Sequence, residues 1–241
     1  YFLLAKFGME LFSLQPSNIT ILWFPFAIGV IMLHSFGLKA LWFIFTASFF
    51  ANYGGMSSQD GVLLHTTIAA FADTLAAVLS WYLLGRFVKN GLDGARSFPS
   101  FAVYGAFLPT FVSSLIIALN LLWGGYIVEG EVVGMVAVLV FADSFSLFLL
   151  YPIYESFRRE SKPLLREYVT VALYGSALSV VLLLSFSLSF LIYLILPILV
   201  VAAFGLRLYL LVGLLLLVVV LSVAFSSFFG IRDCTISIFL W

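Results

Sequence analysis

Asp73 and Asp143 are the residues whose chemistry first asks for an explanation, because each stands in the middle of a long apolar run. An ionised carboxylate at the centre of a bilayer costs about 2.5–3.5 kcal/mol on insertion scales, so such a group needs a partner or a task. Three readings are open: a hydrogen bond to a hydroxyl or carbonyl across a helix pair, recognition of a ligand, and passage of an ion or proton. Thr66, Ala69, Ala70, Ala76, Ala77 and Ser80 share the helical face of Asp73, while Ile68, Phe71, Leu75, Val78, Leu79 and Tyr82 lie mostly around the other. Small residues let a neighbouring helix approach closely, so Asp73 is expected to point into a bundle and away from lipid. Asp143 has hydroxyls beside it at Ser144 and Ser146, on a less clearly divided face.

A second set comprises Glu10, Asn52, His65, Asn120, Trp123, Tyr126, Glu129 and Glu131. These are expected near one membrane surface, as the lining of a shallow site open to the exterior or as an interfacial belt. His34 is expected near the opposite surface, and Lys6 and Glu10, four apart, can neutralise each other. Pro25, Pro109, Pro152 and Pro197 fall within or at the ends of apolar runs, where each removes a backbone donor and bends a helix. Catalysis has little to work with: there is no H-E-x-x-H or G-x-S-x-G motif, and the two histidines belong to opposite surfaces. The single cysteine, Cys234, has neither a disulfide partner nor Cys or His neighbours at metal spacing, so no metal or cofactor is expected.

The elements that position these residues must be membrane helices. Of 241 residues, 64% are hydrophobic and 9% charged, against roughly 45–50% and 25% in soluble domains. The mean hydropathy is +1.21. A hydrocarbon core about 30 Å thick takes about 20 helical residues to cross, so this length allows roughly nine or ten spans. Helices are expected at about 2–14, 19–36, 38–53, 62–87, 99–122, 133–155, 167–186, 189–205 and 208–229. The fold class is thus an all-α polytopic transmembrane bundle of about nine spans, with a tenth begun near Ile236. Residues 168–206 carry no charge and are too long for one span, which requires a hairpin near Ser185–Ser189. The alternating ten-residue segments of a β-barrel are missing.

Nine of the eleven basic residues fall in alternate connections: Lys39; Arg86, Lys89 and Arg96; Arg158, Arg159, Lys162 and Arg166; and Arg207. Those connections are expected to be cytoplasmic, with the N-terminus on the same side. Asp73 then lies about eleven residues into the fourth helix and Asp143 about ten into the sixth. Both helices run inward, so the two carboxyls reach a similar depth, roughly 15 Å below the outer surface. They are expected to share one polar site. The connections are too short to build a soluble domain, so residues 1–241 are read as one integral-membrane domain, excised from a longer protein. The charge balance is zero without a basic block, so nucleic acid is not an expected partner.

Four segments carry a family resemblance. Trp23-Phe24-Pro25-Phe26-Ala27-Ile28-Gly29 is similar to a W-P-P-A-G-I segment, and Leu41-Trp42 through Phe50-Ala51-Asn52 to a tryptophan-bearing helix that ends in L-A-N. Ala72-Asp73-Thr74-Leu75-Ala76-Ala77 stands where G-N-T-L-E-A is expected, and Phe141-Ala142-Asp143-Ser144 through Tyr151-Pro152 follows W-x-x-D-x-x-G-x-x-x-x-x-P. In this order and spacing the chain resembles MASE1, the membrane-associated sensor domain of bacterial histidine kinases and diguanylate cyclases. It departs from the pattern at Asp73 for asparagine, Ala76 for glutamate, Phe141 for tryptophan and Ser146 for glycine, and within the W-P-P-A-G segment.

The resemblance implies a sensory input domain in the bacterial inner membrane, whose last helix leads to a cytoplasmic kinase or cyclase and which works as a homodimer. Its stimulus is a small ligand, a lipid or a membrane partner. Asp73, Asp143, Asn52, Trp23 and Pro25, with Asn120 of the outer set, are the candidate signal-binding residues. The competing reading is a secondary transporter or channel that uses the buried carboxylates. Against it, no paired interrupted helices recur in equivalent halves. An intramembrane enzyme is the third class.

Overall fold

The computed structural model describes residues 23–56, 61–88, 97–159, 165–185 and 206–228, together with 5, 13–14, 19–20, 92, 194–195, 198–199 and 202. Among these, five stretches are long and apolar enough to cross a membrane: Phe24–Tyr53, Val62–Phe87, Phe98–Trp123, Glu129–Glu155 and Leu165–Ser185. Leu210–Ser222 is a shorter apolar helix. The expected count of nine is therefore not reached among the described residues. Phe24–Tyr53 joins two of the expected helices. Most of 2–14 and 189–205, along with Lys6, Glu10, Pro197, Cys234 and the segment from Ile236, lies outside the described residues.

One expectation is corrected at the start of the chain. Ser13–Leu14 and Ile19–Thr20 are antiparallel strands, β1 and β2, with Ser13 opposite Thr20 and Leu14 opposite Ile19. Helix therefore does not continue to residue 14, nor resume at 19. Pro16 lacks the N–H a helix needs, and Ser17 and Asn18 are turn formers.

The chain divides into two units, Tyr1–Tyr151 and Pro152–Trp241. In the first, α1 (Phe24–Phe36) opens with Pro25, whose missing donor costs nothing in a first turn. It ends at Gly37, whose φ of +64° lies in the left-handed region that glycine enters freely. A 3₁₀ turn, Gly37–Ala40, leads into α2 (Leu41–Met56). A Cβ on Gly29 would stand 3.6 Å from Ile44 of α2 and 3.2 Å from Ala77 of α3. Thus α1 and α2 fold back on each other, and α3 (Val62–Phe87) closes against both through small residues.

Side-chain pairs fix the directions of the remaining helices. Ser80 Oγ donates to Gly105 O at 2.6 Å and His65 pairs with Asn120, so α4 (Phe98–Trp123) is antiparallel to α3. Phe101 stacks on Tyr151 at 5.5 Å and Thr110 meets Ser144 at 3.2 Å, so α5 (Val132–Arg159) is antiparallel to α4. The Trp23 N–H donates to Ala142 O and Tyr151 meets His34, so α1 and α5 run in the same direction. Lys39 and Arg86 consequently share one end of this unit, and Glu129 and Glu131 lie at the other.

Two local features follow from sequence. Residues Phe101–Phe107 of α4 form a π-helical segment just before Pro109. Proline cannot donate to the carbonyl four residues back, which is that of Gly105, and Ser80 supplies the missing donor. On α3, Thr66, Ala69, Ala70, Ala76, Ala77 and Ser80 are buried as expected, while Phe71 and Tyr82 face outward. Trp42, Phe43, Phe50 and Phe111 are likewise exposed, as apolar side chains are where lipid is the solvent.

In the second unit, α6 (Leu165–Ser185) packs on α7 (Leu208–Phe228) around Leu178, Ala202 and Leu214, with Ile195, Ile198 and Leu199 against them. Glu167 Oε1 and Arg207 Nε pair at 2.7 Å. The chain thus leaves and returns to one end between residues 167 and 207, as a hairpin requires. The turn expected at Ser185–Ser189 lies mostly outside the described residues.

Candidate functional site

The polar residues of the first unit gather into a core and an outer clamp. In the core, Ser48 and Asn52 stand one turn apart on α2 and reach the same oxygen of Asp73. Ser48 Oγ donates to Asp73 Oδ2 at 2.5 Å, and Asn52 Nδ2 donates to it at 3.0 Å. Asn52 Nδ2 also lies 3.0 Å from Ser48 O and 3.1 Å from Ser48 Oγ, so its two protons serve three acceptors. Ser48 is fully buried and Asp73 half-buried. Among the described residues no donor reaches Asp73 Oδ1.

Asp143, only 6% exposed, faces the same region from α5 and lies within electrostatic reach of Asp73. Among the described residues no donor reaches its carboxylate. Its neighbours are satisfied elsewhere: Ser146 Oγ donates to Asp143 O at 2.7 Å, and Ser144 pairs with Thr110 of α4. The Trp23 N–H, 3.3 Å from Ala142 O, sets the start of α1 level with Asp143, and Pro25 is buried in the turn that follows. Asp73, Asp143, Asn52 and the Trp23–Pro25 entry to α1 therefore lie at one depth, whereas Asn120 does not.

Two residues that sequence reasoning missed complete the core. Ser113 and Ser114 of α4 are buried, and among the described residues neither hydroxyl has a hydrogen-bond partner. Ser113 lies midway between Gly105 and Asn120, which touch Ser80 and His65 of α3, and Asp73 lies midway between those two. Ser113 is therefore level with Asp73. The run Thr110, Ser113, Ser114 at helical spacing was the available signal, as was Ser48 four residues before Asn52.

The outer clamp holds the remainder of the polar set. His65 Nδ1 lies 2.9 Å from Asn120 Oδ1, and Asn120 Nδ2 donates to His65 O at 2.9 Å. Trp123 and Tyr126 meet the imidazole edge-on at 5.4 and 5.7 Å, and Tyr126 Oη donates to Met56 O. This clamp joins the ends of α2, α3 and α4, about 12 Å along α3 from Asp73. Asn52, expected in this group, instead turns inward to Asp73. Glu131 Oε2 accepts from Val128 N in an exposed turn, and His34, at the other end, meets Tyr151 Oη at 3.3 Å.

The core gathers two carboxylates, the Asn52 amide and several hydroxyls from four helices. Among the described residues no three His, Cys, Asp or Glu side chains converge, so a zinc-type donor set is not formed.

The whole chain, residues 1–241, matches the family model for MASE1. No curated protein and no solved structure is matched. MASE1 domains are membrane sensory input modules rather than catalytic ones, in keeping with the several membrane-spanning helices. This multi-pass membrane chain belongs to the MASE1 family.

Proposed function

We propose that the chain is a membrane-embedded sensory input domain whose ligand occupies the Asp73–Asp143 core. One observation carries the reading: Asp73 and Asp143 stand on different helices of the bundle close enough to feel each other's charge, and a carboxylate within a membrane bundle is costly unless it has a task. A ligand that binds one packing of α2, α3 and α5 better than another shifts the balance between them by its difference in affinity. The stimulus is a small ligand, a lipid or a membrane partner. The shift passes through the last helix to a cytoplasmic kinase or diguanylate cyclase in a longer, homodimeric protein.

In this reading the domain sits in the bacterial inner membrane with its N-terminus and basic connections inside, and α1 and α2 count as two of about nine crossings. The test is signal-dependent output of the complete protein carrying Asp143→Ala or Asn52→Ala. Loss of the response is expected; a normal response in both would overturn the assignment.

A second reading, transport through the bundle, is favoured by the π-helical segment beside Pro109, because interrupted helices border transport paths. Uptake into proteoliposomes that depends on Asp73 or Asp143 would select it.

A further inference from the structure

Among the described residues, no basic side chain is placed to pair with the two carboxyl groups of the core. Asp73 and Asp143 bring up to two negative charges into reach of each other. No lysine or arginine occurs in α1, α2 or α4, and those of α3 and α5 stand in their last turns. The start of α1 lies level with Asp143, and a helix N-terminus offers about half an elementary charge, well short of what two carboxylates need.

The unused oxygens point the same way. Asp73 Oδ2 takes both donors from α2, which leaves Oδ1, and both oxygens of Asp143 are without a donor among the described residues. The hydroxyls of Ser113 and Ser114, 0% and 1% exposed, have no partner among the described residues either. Their directions follow from helical geometry. Ser113 precedes Asn120 by two turns and so shares its face toward α3; Ser114 follows Thr110 by one turn and so shares its face toward α5. The two hydroxyls thus face the two helices that carry the carboxylates. A buried hydroxyl is ordinarily paired, so two unpaired ones at the depth of the carboxylates call for an explanation.

We propose that this core binds a hard, oxygen-seeking metal cation of the Na⁺ or Ca²⁺ kind. Its ligands are Asp73 Oδ1, the Asp143 carboxylate and the Ser113 and Ser114 hydroxyls. Carboxylate and hydroxyl oxygens without nitrogen or sulfur suit such ions and not zinc or copper. The ion offsets one carboxylate charge if monovalent and both if divalent, and it ties α3, α4 and α5 together at one depth. The proposal rests on the reading of this core as the domain's ligand site and names the class of that ligand.

The test uses the 241-residue chain in nanodiscs, stripped with a chelator into choline chloride. NaCl, KCl and CaCl2 are titrated at constant ionic strength while thermal unfolding is followed. At least one metal salt should raise the Tm saturably above the choline baseline. Asp143→Asn should abolish that rise, and Ser113→Ala should weaken the apparent affinity by about tenfold or more, on the scale of lost metal-site support.

Ser113→Ala should also raise the Tm in choline alone, because it removes an unpartnered hydroxyl, and so it remains informative if Asp143→Asn folds poorly. A Tm that follows choline for every metal salt overturns the proposal, as does a metal response that survives both substitutions. Failure here, with output still lost in Asp143→Ala, rejects the cation and leaves the signal site standing. A metal response with normal output in that variant supports the cation and removes its signalling role.

Discussion

Removing the Ser48 hydroxyl tests the core at its shortest contact. Ser48 Oγ and Asn52 Nδ2 converge on one oxygen of Asp73, so the bonds can be ranked before they are measured. Interhelical hydrogen bonds in membrane proteins couple by about 0.6 kcal/mol on average and about 1.7 kcal/mol at most. A charged acceptor roughly doubles the strength of a bond. The Ser48–Asp73 bond, at 2.5 Å from a fully buried hydroxyl, belongs near the top of that range, at about 1–2 kcal/mol. Asn52 divides two protons among three acceptors, so its coupling to Asp73 should be about half as large. Double-mutant cycles over Ser48→Ala, Asn52→Ala and Asp73→Ala, read by detergent unfolding in bicelles, measure both terms. A Ser48–Asp73 coupling below about 0.3 kcal/mol, the scatter of non-interacting pairs, would refute the contact. A coupling from Asn52 larger than that from Ser48 would refute the ranking.

Other contacts give further expectations. A Cβ on Gly105 would stand 2.6 Å from Leu84 Cδ2 and 3.2 Å from Leu84 Cγ, and Leu84 is buried, at 2% exposed. Gly105→Ala should therefore lower stability by about 1–3 kcal/mol, and an unchanged Tm would show that α3 and α4 are not in close contact. Asn120→Ala strips His65 of two hydrogen bonds in the clamp and should cost about 1–3 kcal/mol. It should also shift the fluorescence of Trp123, which lies against the imidazole, and emission identical to the parent would contradict that packing. The Glu167–Arg207 pair is partly exposed, at 19% and 30%, so Glu167→Gln should cost less than about 1 kcal/mol and the loss should shrink with added salt. A larger loss that is indifferent to salt would rule out a surface ion pair.

What the sequence reveals follows from which physical signals are periodic. Alanines at helical spacing around Asp73 identify the packed face of α3, because only small residues admit a second backbone there. The shared depth of Asp73 and Asp143 follows from the alternation of basic connections and the rise per residue. Charge-free residues 168–206 require a hairpin, and the Glu167–Arg207 pair closes its base. Other features leave no periodic trace. Ser48 is an ordinary serine in a run of phenylalanines until α2 lies against α3, and only its spacing from Asn52 hints at a joint role. Asn52 looks interfacial by position, yet its side chain reaches back one turn to Ser48 and across to Asp73. The π segment of α4 depends on a tertiary donor, Ser80, for the carbonyl that Pro109 frees. The strand pair around Pro16 is hidden in a hydropathy reading because the apolar residues on either side outweigh the short turn signal of Pro16, Ser17 and Asn18.

The most direct measurement is the signal-response curve of the complete sensor carrying Asp73→Asn, Asp143→Asn and both together. If the two carboxylates form one ligand site, each single variant should impair the response, and the double variant should fall no further than the worse single one. A parental response in either single variant would contradict the shared site, and so would two independent losses that multiply in the double variant.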